Sequence, residues 1–358
     1  MSGRGGAPPE PVSSGAAPAP APAPGLGAVD ELPVVCREGR GFGHGKVILL
    51  GEHAVVYGHP ALAAGLSRGM RGLAGPGTGR LRVPVWNLDL HVDATPGAEA
   101  GRAPTSDLAR VARAWAAILN GFGVRDVDVT VEGDLPAQAG LGSSAAFSCA
   151  VAFAVASAHG FGRARALAAA HFGEVVFHGA PSGIDLAAAS TGAAGRFQRG
   201  QGWMAVEVPR PITLCIGLSG RPHATHDLVE GVRRLHEATP VVSRVIEALG
   251  ALAPSGEAAL AAGDLEALGR LFDVAHGLLA SLRVSGPELE TLVHGARRAG
   301  ALGAKLTGAG GGGSVIALAP PGREAEILEA WRHEGFEGFT ANVVGARPDV
   351  DARHEVET

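Results

Sequence analysis

An α+β fold in two parts is what this sequence predicts, and three observations predict it. Short alternating or apolar runs read as strands, as at Val127 to Val131, where Asp128 and Thr130 separate three valines. Longer runs with helical periodicity lie between them and dominate the second half. Pro209 and Pro211 then interrupt the chain between two strand-like runs and mark the division at about residue 210. The 358 residues suffice for one large or two moderate domains, and a hydrophobic fraction of 46% can fill their cores.

In chain order, residues 1–33 hold an Ala-Pro repeat from Ala17 to Pro24. Proline removes backbone donors and alanine offers little surface to bury, so a disordered or polyproline-like tail is expected. The folded part opens near Leu32 to Arg37. Val47 to Leu50 reads as a short buried strand, with Lys46 before it and Glu52-His53 after it. Charges so close on both sides of a buried strand point to a pocket, or else to a surface lysine and a solvated turn. Arg80 to Val92 is strand material. Thr105 or Ser106 caps a helix with the apolar face Leu108, Val111, Trp115, Ile118 and Leu119. A strand at Val127 to Val131 leads through a glycine loop into a buried helix, Ser144 to His159. A second helix, Arg163 to Phe177, carries His171 and Glu174, and Gly179 to Asp185 turns into another short helix. Strands follow at Met204 to Val208 and Ile212 to Leu218. Helices are expected at Thr225 to His236, Val241 to Leu252, Leu265 to Leu282 and Pro287 to Ala299. Two strands flank the glycines at 308–313, and a helix at Arg323 to Glu334 and a strand at Phe339 to Val344 end the fold. The polar tail from Arg347 is expected to be loose.

Composition excludes several classes of function. A formal net charge of −5 gives no general attraction to nucleic acid or anionic membranes. Cys36, Cys149 and Cys215 are odd in number and far apart, which gives no disulfide framework and fits a reducing, cytoplasmic setting. The longest apolar run, Ala145 to Ala158, is too short for a bilayer span, and no secretory signal pattern opens the chain. His223 and His226 beside Asp227 have the spacing of some metal sites, but no third ligand is evident and a solvated helix start is expected.

The stretch around which the chemistry gathers is Leu135 to Ala146. Small residues sit there where a loop enters a helix, a position that presents unpaired N–H groups and the positive end of the helix dipole. Gly140 and Gly142 let a phosphate approach the backbone, and Ser143 and Ser144 add hydroxyls for capping, phosphate or Mg²⁺. The loop lacks the Gly-Lys-Ser/Thr ending of a Walker-A loop. The same residue types also serve an ordinary helix cap, so the loop alone does not decide the matter. The glycines at 308–313 match a dinucleotide-binding pattern only trivially, since no helix follows them.

Four segments decide more than one. Gly45-Lys46-Val47-Ile48-Leu49-Leu50-Gly51-Glu52-His53, the loop from Pro136 to Ala146, Pro181-Ser182-Gly183-Ile184-Asp185, and Lys305-Leu306-Thr307-Gly308-Ala309-Gly310-Gly311-Gly312 stand in order. Together they resemble the GHMP kinases, the superfamily of galactokinase, homoserine kinase, mevalonate kinase and phosphomevalonate kinase. The resemblance runs from about Gly43 to Val344. The first segment, extended to Gly58, and the Pro181 to Asp185 segment are similar to the mevalonate-kinase branch.

The resemblance implies a two-lobe α+β fold: a ribosomal-S5-like N-terminal lobe over residues 34–210 and a ferredoxin-like C-terminal lobe over 211–346, with the active site in the cleft. It implies ATP and Mg²⁺ as cofactors and mevalonate as the small-molecule substrate, phosphorylated on its 5-hydroxyl. Asp185 corresponds to the catalytic carboxylate and Lys46 to the lysine beside it. Pro136, Gly140, Leu141, Gly142, Ser143, Ser144, Ala145 and Glu52 correspond to nucleotide-site residues. His53 and Thr225 correspond to substrate contacts, and Ser144 and Glu174 to the metal ligands. Two positions depart from the family pattern. Gly43-His44-Gly45 replaces Ala-Pro-Gly, which places His44 at the expected cleft rim, and Ala180 replaces a common asparagine. Phosphomevalonate kinase, for which Arg221 and Arg283 would supply extra charge, a sugar kinase and a non-catalytic GHMP-fold regulator are the alternatives. No nucleic-acid or membrane partner is expected, and the oligomeric state is left open, a homodimer included.

Overall fold

The computed structural model describes residues 36–92, 107–136, 139–179, 181–221 and 225–345. The expected tails, the Thr105/Ser106 cap, Ala180 and His223 lie outside them, as do the side chains of Thr225 and His226. The residues from Val35 onward form one unit.

The first sheet is built on β2 (Ala61–Pro76), which pairs with β1 (Gly39–Leu50) along its length. On its other side β2 pairs with β5 (Val127–Gly133) at one end and β6 (Ala194–Gln198) at the other. β3 (Arg80–Val83) and β4 (Leu88–His91) extend the sheet beyond β5, and β7 (Gly202–Ala205) extends it beyond β6. Four helices accompany this sheet: α1 (Asp107–Phe122), α2 (Ser143–His159), α3 (Arg163–His178) and α4 (Ile184–Thr191).

Two strands differ from expectation for one physical reason. β1 begins eight residues before Val47, and β2 is absent from the sequence reading altogether. Their glycines hide the alternation that announces a strand. Those glycines stand where helices press on the sheet: a Cβ on Gly43 would lie 2.0 Å from the Ala146 carbonyl oxygen, and one on Gly72 would lie 2.4 Å from that of Ala150. Helix α2 thus rests directly on the strands. Its alanines, buried on every side, fit that close approach, and the helix has no polar face.

The second sheet has the order β11-β8-β10-β9, all antiparallel: β8 (Ile212–Leu218), β9 (Gly303–Thr307), β10 (Ser314–Leu318) and β11 (Glu337–Val343). Helices α5 (Thr225–Ala238), α6 (Val242–Ala262), α7 (Leu265–Ser281), α8 (Pro287–Arg298) and α9 (Glu324–His333) complete this half. Helix α6 continues ten residues past the expected end at Leu252 and runs through Pro254. Burial of Ala253, Ala259 and Leu260 outweighs the hydrogen bond that the proline deletes. Among the described residues α6 alone is long and apolar enough to cross a bilayer, yet Ile246, Leu249 and Leu260 are buried in the core. Two smaller readings are also corrected. The strand expected at Met204 to Val208 is confined to β7, and Leu108 is 48% exposed, so it is not part of the buried face of α1.

Side chains clasp the two sheets together. Thr307 Oγ1 donates to the Ile48 carbonyl at 2.9 Å and accepts from the Ile48 N–H at 3.0 Å, as a neighbouring strand would. Beside it, the Lys305 ammonium is fully buried, pairs with Glu52 and donates to the Leu306 carbonyl at 2.6 Å. Burial pushes the Glu52 carboxyl up and the Lys305 ammonium down from their usual ranges, and their mutual attraction opposes both shifts. Removing one partner strands a charge in apolar surroundings. Lys305→Met is therefore expected to cost about 3–5 kcal/mol, read from the urea midpoint, with Glu52→Gln/Lys305→Met recovering much of it. A single variant as stable as the parent would show that the pair is not what holds the sheets.

Candidate active site

Between the sheets lies a cleft of about 1520 Å³. One wall is the loop that precedes α2. Gly140 and Gly142 both take positive φ, 75° and 72°, and Gly142 is the N-cap of α2. Gly142 has no side chain to cap α2, and Ser143 and Ser144, in its first turn, line the cleft. A Cβ on Gly142 would lie 3.1 Å from that of Lys46, so the loop packs against the lysine stem. The Lys46 N–H donates to the Leu141 carbonyl at 2.8 Å, which ties the loop to β1.

A register shift in β1 between His44 and Lys46 separates two side chains with different fates. His44 does not reach the cleft rim. Its Nδ1 donates to the Leu66 carbonyl at 2.8 Å and its ring meets Phe42 edge-on. Lys46 is 5% exposed and enters the cleft, where Nζ lies 2.8 Å from Asp185 Oδ1. Asp185 stands in the first turn of α4, behind the N-cap Gly183. An aspartate in a helix's first turn can merely complement the dipole; Asp185 lies instead in an ion pair with a lysine 139 positions away in the sequence.

Glu174 comes from the last turns of α3 and is 1% exposed, yet neither carboxylate oxygen has a hydrogen-bond partner. Burial, with the Asp185 charge adding to it and the nearby Ser144 hydroxyl and then the Lys46 charge opposing, pushes its pKa up to about 8. One turn on, His178 Nε2 lies 2.9 Å from Ser144 Oγ and 3.8 Å from Glu174 Oε2. Desolvation against the cleft wall holds the half-exposed His178 imidazole below its ordinary pKa, with the Asp185 charge opposing and the Lys46 and Arg110 charges adding to it. An orphaned carboxylate beside a hydroxyl is a hard-oxygen donor set that suits Mg²⁺. Among the described residues no three acidic, histidine or cysteine groups gather as a metal cage, so phosphate oxygens and water would complete the shell.

The second glycine loop packs beside the first: a Cβ on Gly308 would lie 3.9 Å from the Gly140 carbonyl oxygen. Ser314 Oγ donates to the Ala139 carbonyl at 2.7 Å, which joins the two loops. His53 has φ of 58° and Nε2 donates to the Ala309 carbonyl at 3.0 Å, which fixes its tautomer; burial lowers its pKa. Val55, Val56 and Val229 line the cleft near it, whereas Ala54 is in the core. At the other end stand Trp86, Leu88, Leu108 and Val111.

The fold thus brings Lys46, Glu52, His53, Gly140, Gly142, Ser143, Ser144, Glu174 and Asp185 to one cleft. Leu141 and Ala145 are buried behind the loop, and Pro136 opens it without lining the cleft. Thr225 begins α5, and its side chain is outside the described part. Glu52 reaches the cleft but is engaged by Lys305. The sequence reading missed His178 and Lys305. A histidine four residues after Glu174 on one helix, and a lysine in a strand otherwise apolar, were the available signals. Arg221 pairs with Glu288 at 2.6 Å, and neither it nor Arg283 lines the cleft.

A lysine–carboxylate pair beside a glycine nest, with a buried oxygen-donor set between them, defines a small-molecule phosphotransferase of the GHMP kind. The model of the GHMP kinases N-terminal domain matches residues 109–193, and that of the GHMP kinases C-terminal domain matches residues 257–337. The mevalonate kinase of Aeropyrum pernix is 35% identical over 325 residues, covering 87% of this chain and 98% of its own. That of Pyrococcus horikoshii is 36% identical over 313 residues, covering 81% and 91%. The crystal structure of L. major mevalonate kinase in complex with R-mevalonate is 28% identical, with a TM-score of 0.74, and covers 86% of this chain and 96% of its own. The chain belongs to the mevalonate kinase family of the GHMP kinases.

Proposed function

We propose that the chain transfers the γ-phosphoryl group of ATP to the 5-hydroxyl of mevalonate, with Mg²⁺, giving 5-phosphomevalonate. The observation that carries this is the 2.8 Å Lys46–Asp185 pair beside the glycine loop, in a cleft that also holds Ser144 and Glu174. The family supplies the acceptor. The valines near His53 suit a branched hydroxy acid better than a sugar, whose many hydroxyls would need polar partners.

An alkyl hydroxyl is about as weak an acid as water, roughly 15.7, so no carboxylate can strip it before reaction. Asp185 instead orients the hydroxyl and accepts its proton late, as the new P–O bond forms in a loose transition state. Lys46 fixes the Asp185 carboxylate and offsets negative charge on the transferring group. Backbone N–H groups of Gly140 to Ser144, at the positive end of α2, hold the phosphate chain. Ser144 and Glu174 would hold magnesium, whose chemistry is to neutralise charge on phosphate oxygens.

A coupled ADP-release assay across mevalonate, phosphomevalonate, homoserine and galactose tests the reading. Turnover is expected with mevalonate and little with the others. Faster turnover with another acceptor, or none with mevalonate, would overturn it.

A further inference from the structure

We infer that His178 is a positioning residue for the cation site: its Nε2 accepts the Ser144 hydroxyl proton and so turns the serine's lone pairs toward Glu174. The inference rests on the proposed metal role of Ser144 and Glu174.

The geometry leaves Ser144 two arrangements. In one, an imidazole N–H donates to Oγ and occupies a lone pair that a cation needs. In the other, the hydroxyl donates to Nε2 across the 2.9 Å contact, and both lone pairs are free on the side away from the ring. Glu174 favours the second. Its two oxygens are acceptors without a hydrogen-bond donor, and Nε2 lies 3.8 Å from the nearer one, beyond hydrogen-bond reach. A hydroxyl whose proton is turned away from the site, beside a carboxyl group with no hydrogen-bond partner, makes a hard-oxygen pocket once an ion displaces the Glu174 proton.

The secondary structure explains why one residue can do this. Glu174 and His178 are four apart on α3 and share a face of its last turns. Ser144 opens α2, on the far side of the loop. His178 therefore couples the end of α3 to the start of α2 at the point where the phosphates would lie. Its side chain is 45% exposed, so replacing it removes little packing. Partners that orient metal ligands in this way commonly change metal affinity 10–100-fold when removed.

The test is Mn²⁺ binding, followed by electron paramagnetic resonance, to the full chain with a non-hydrolysable ATP analogue. His178→Phe keeps a ring and removes the acceptor; His178→Gln places an amide oxygen near the position of Nε2. His178→Phe is expected to weaken Mn²⁺ binding about tenfold or more, and His178→Gln to restore most of the loss. In the Ser144→Ala background, His178→Phe is expected to add nothing, because the two act through one oxygen. Parent-like binding by His178→Phe, equal losses in the Phe and Gln variants, or additive losses with Ser144→Ala would each overturn the inference. If Ser144→Ala and Glu174→Gln themselves bind Mn²⁺ like the parent, the metal assignment falls and this inference with it. If both lose binding and His178→Phe does not, only the role of His178 is refuted.

Discussion

Asp185→Asn is expected to lower kcat by about 10²–10⁴ while leaving the affinity for Mg²⁺-nucleotide near that of the parent. The amide keeps the size of the carboxylate and one oxygen near Lys46, so the 2.8 Å contact can persist as a hydrogen bond. What disappears is the group that accepts the proton of the attacking hydroxyl. Nucleotide contacts are expected to come from the glycine loop and from Ser144 and Glu174; the substitution removes the Asp185 charge that raises the Glu174 pKa, which favours the ionised carboxylate rather than weakening it. Single-turnover kinetics with nucleotide binding measured in parallel would separate the two effects. Near-normal turnover would remove Asp185 as the base, and a comparable fall in nucleotide affinity would show that it holds the phosphates.

Glu174→Gln should act in opposite directions on stability and on function. The folded state raises the Glu174 pKa from 4.5 to about 8. Between those values the unfolded chain releases a proton that the folded chain keeps. The favourable contribution of the group is therefore complete below about 4.5 and is lost as pH rises through about 8. The loss amounts to a few kcal/mol in the ligand-free protein. Glutamine does not titrate, so the variant should lack this fall and be more stable than the parent at pH 8 without ligand. Adding Mg²⁺ and nucleotide should reverse the order, since the parent gains a bound ion and the variant does not. Thermal melts across pH, with and without Mg²⁺-nucleotide, check both halves. Parallel profiles for the two proteins, or equal stabilisation by Mg²⁺-nucleotide, would remove Glu174 as a metal ligand.

Both variants show how unevenly the site is written in the chain. Lys46, Glu52-His53 and the glycine loop were legible because each belongs to a local pattern whose residue types are unusual where they stand, whereas Asp185, an ordinary acidic residue in a helix's first turn, was singled out only through the family resemblance. Glu174 was named through family resemblance; its own surroundings, an ordinary helix of alanines and a phenylalanine, gave no physical sign of a buried orphaned carboxylate. His178 escaped because a histidine at a helix end is a common surface feature until Ser144 is brought to 2.9 Å from it. His44 was misplaced for the converse reason. Its neighbours in sequence belong to the site, but a register shift in β1 sends its ring to the Leu66 carbonyl.

The fold divides in the same way. Helices with a strong apolar stripe and strands with clear alternation were readable one by one, since their periodicity is a property of a few consecutive residues. The strand that organises the first sheet was not, because Gly65, Gly69, Gly72 and Gly75 remove the side chains that would have shown its alternation. For Gly65 and Gly72 the reason is visible only in the helices lying against them, α4 and α2. The sequence by itself pointed to the family and, through that resemblance, to the glycine loop and to Lys46 and Asp185 as partners, all of which depend on residue type and order along the chain. The tertiary structure alone decided which carboxylate is left without a partner, which lysine is buried as a clasp and which histidine faces the serine. Each of these depends on the distance between segments far apart in sequence, and no local pattern encodes that distance.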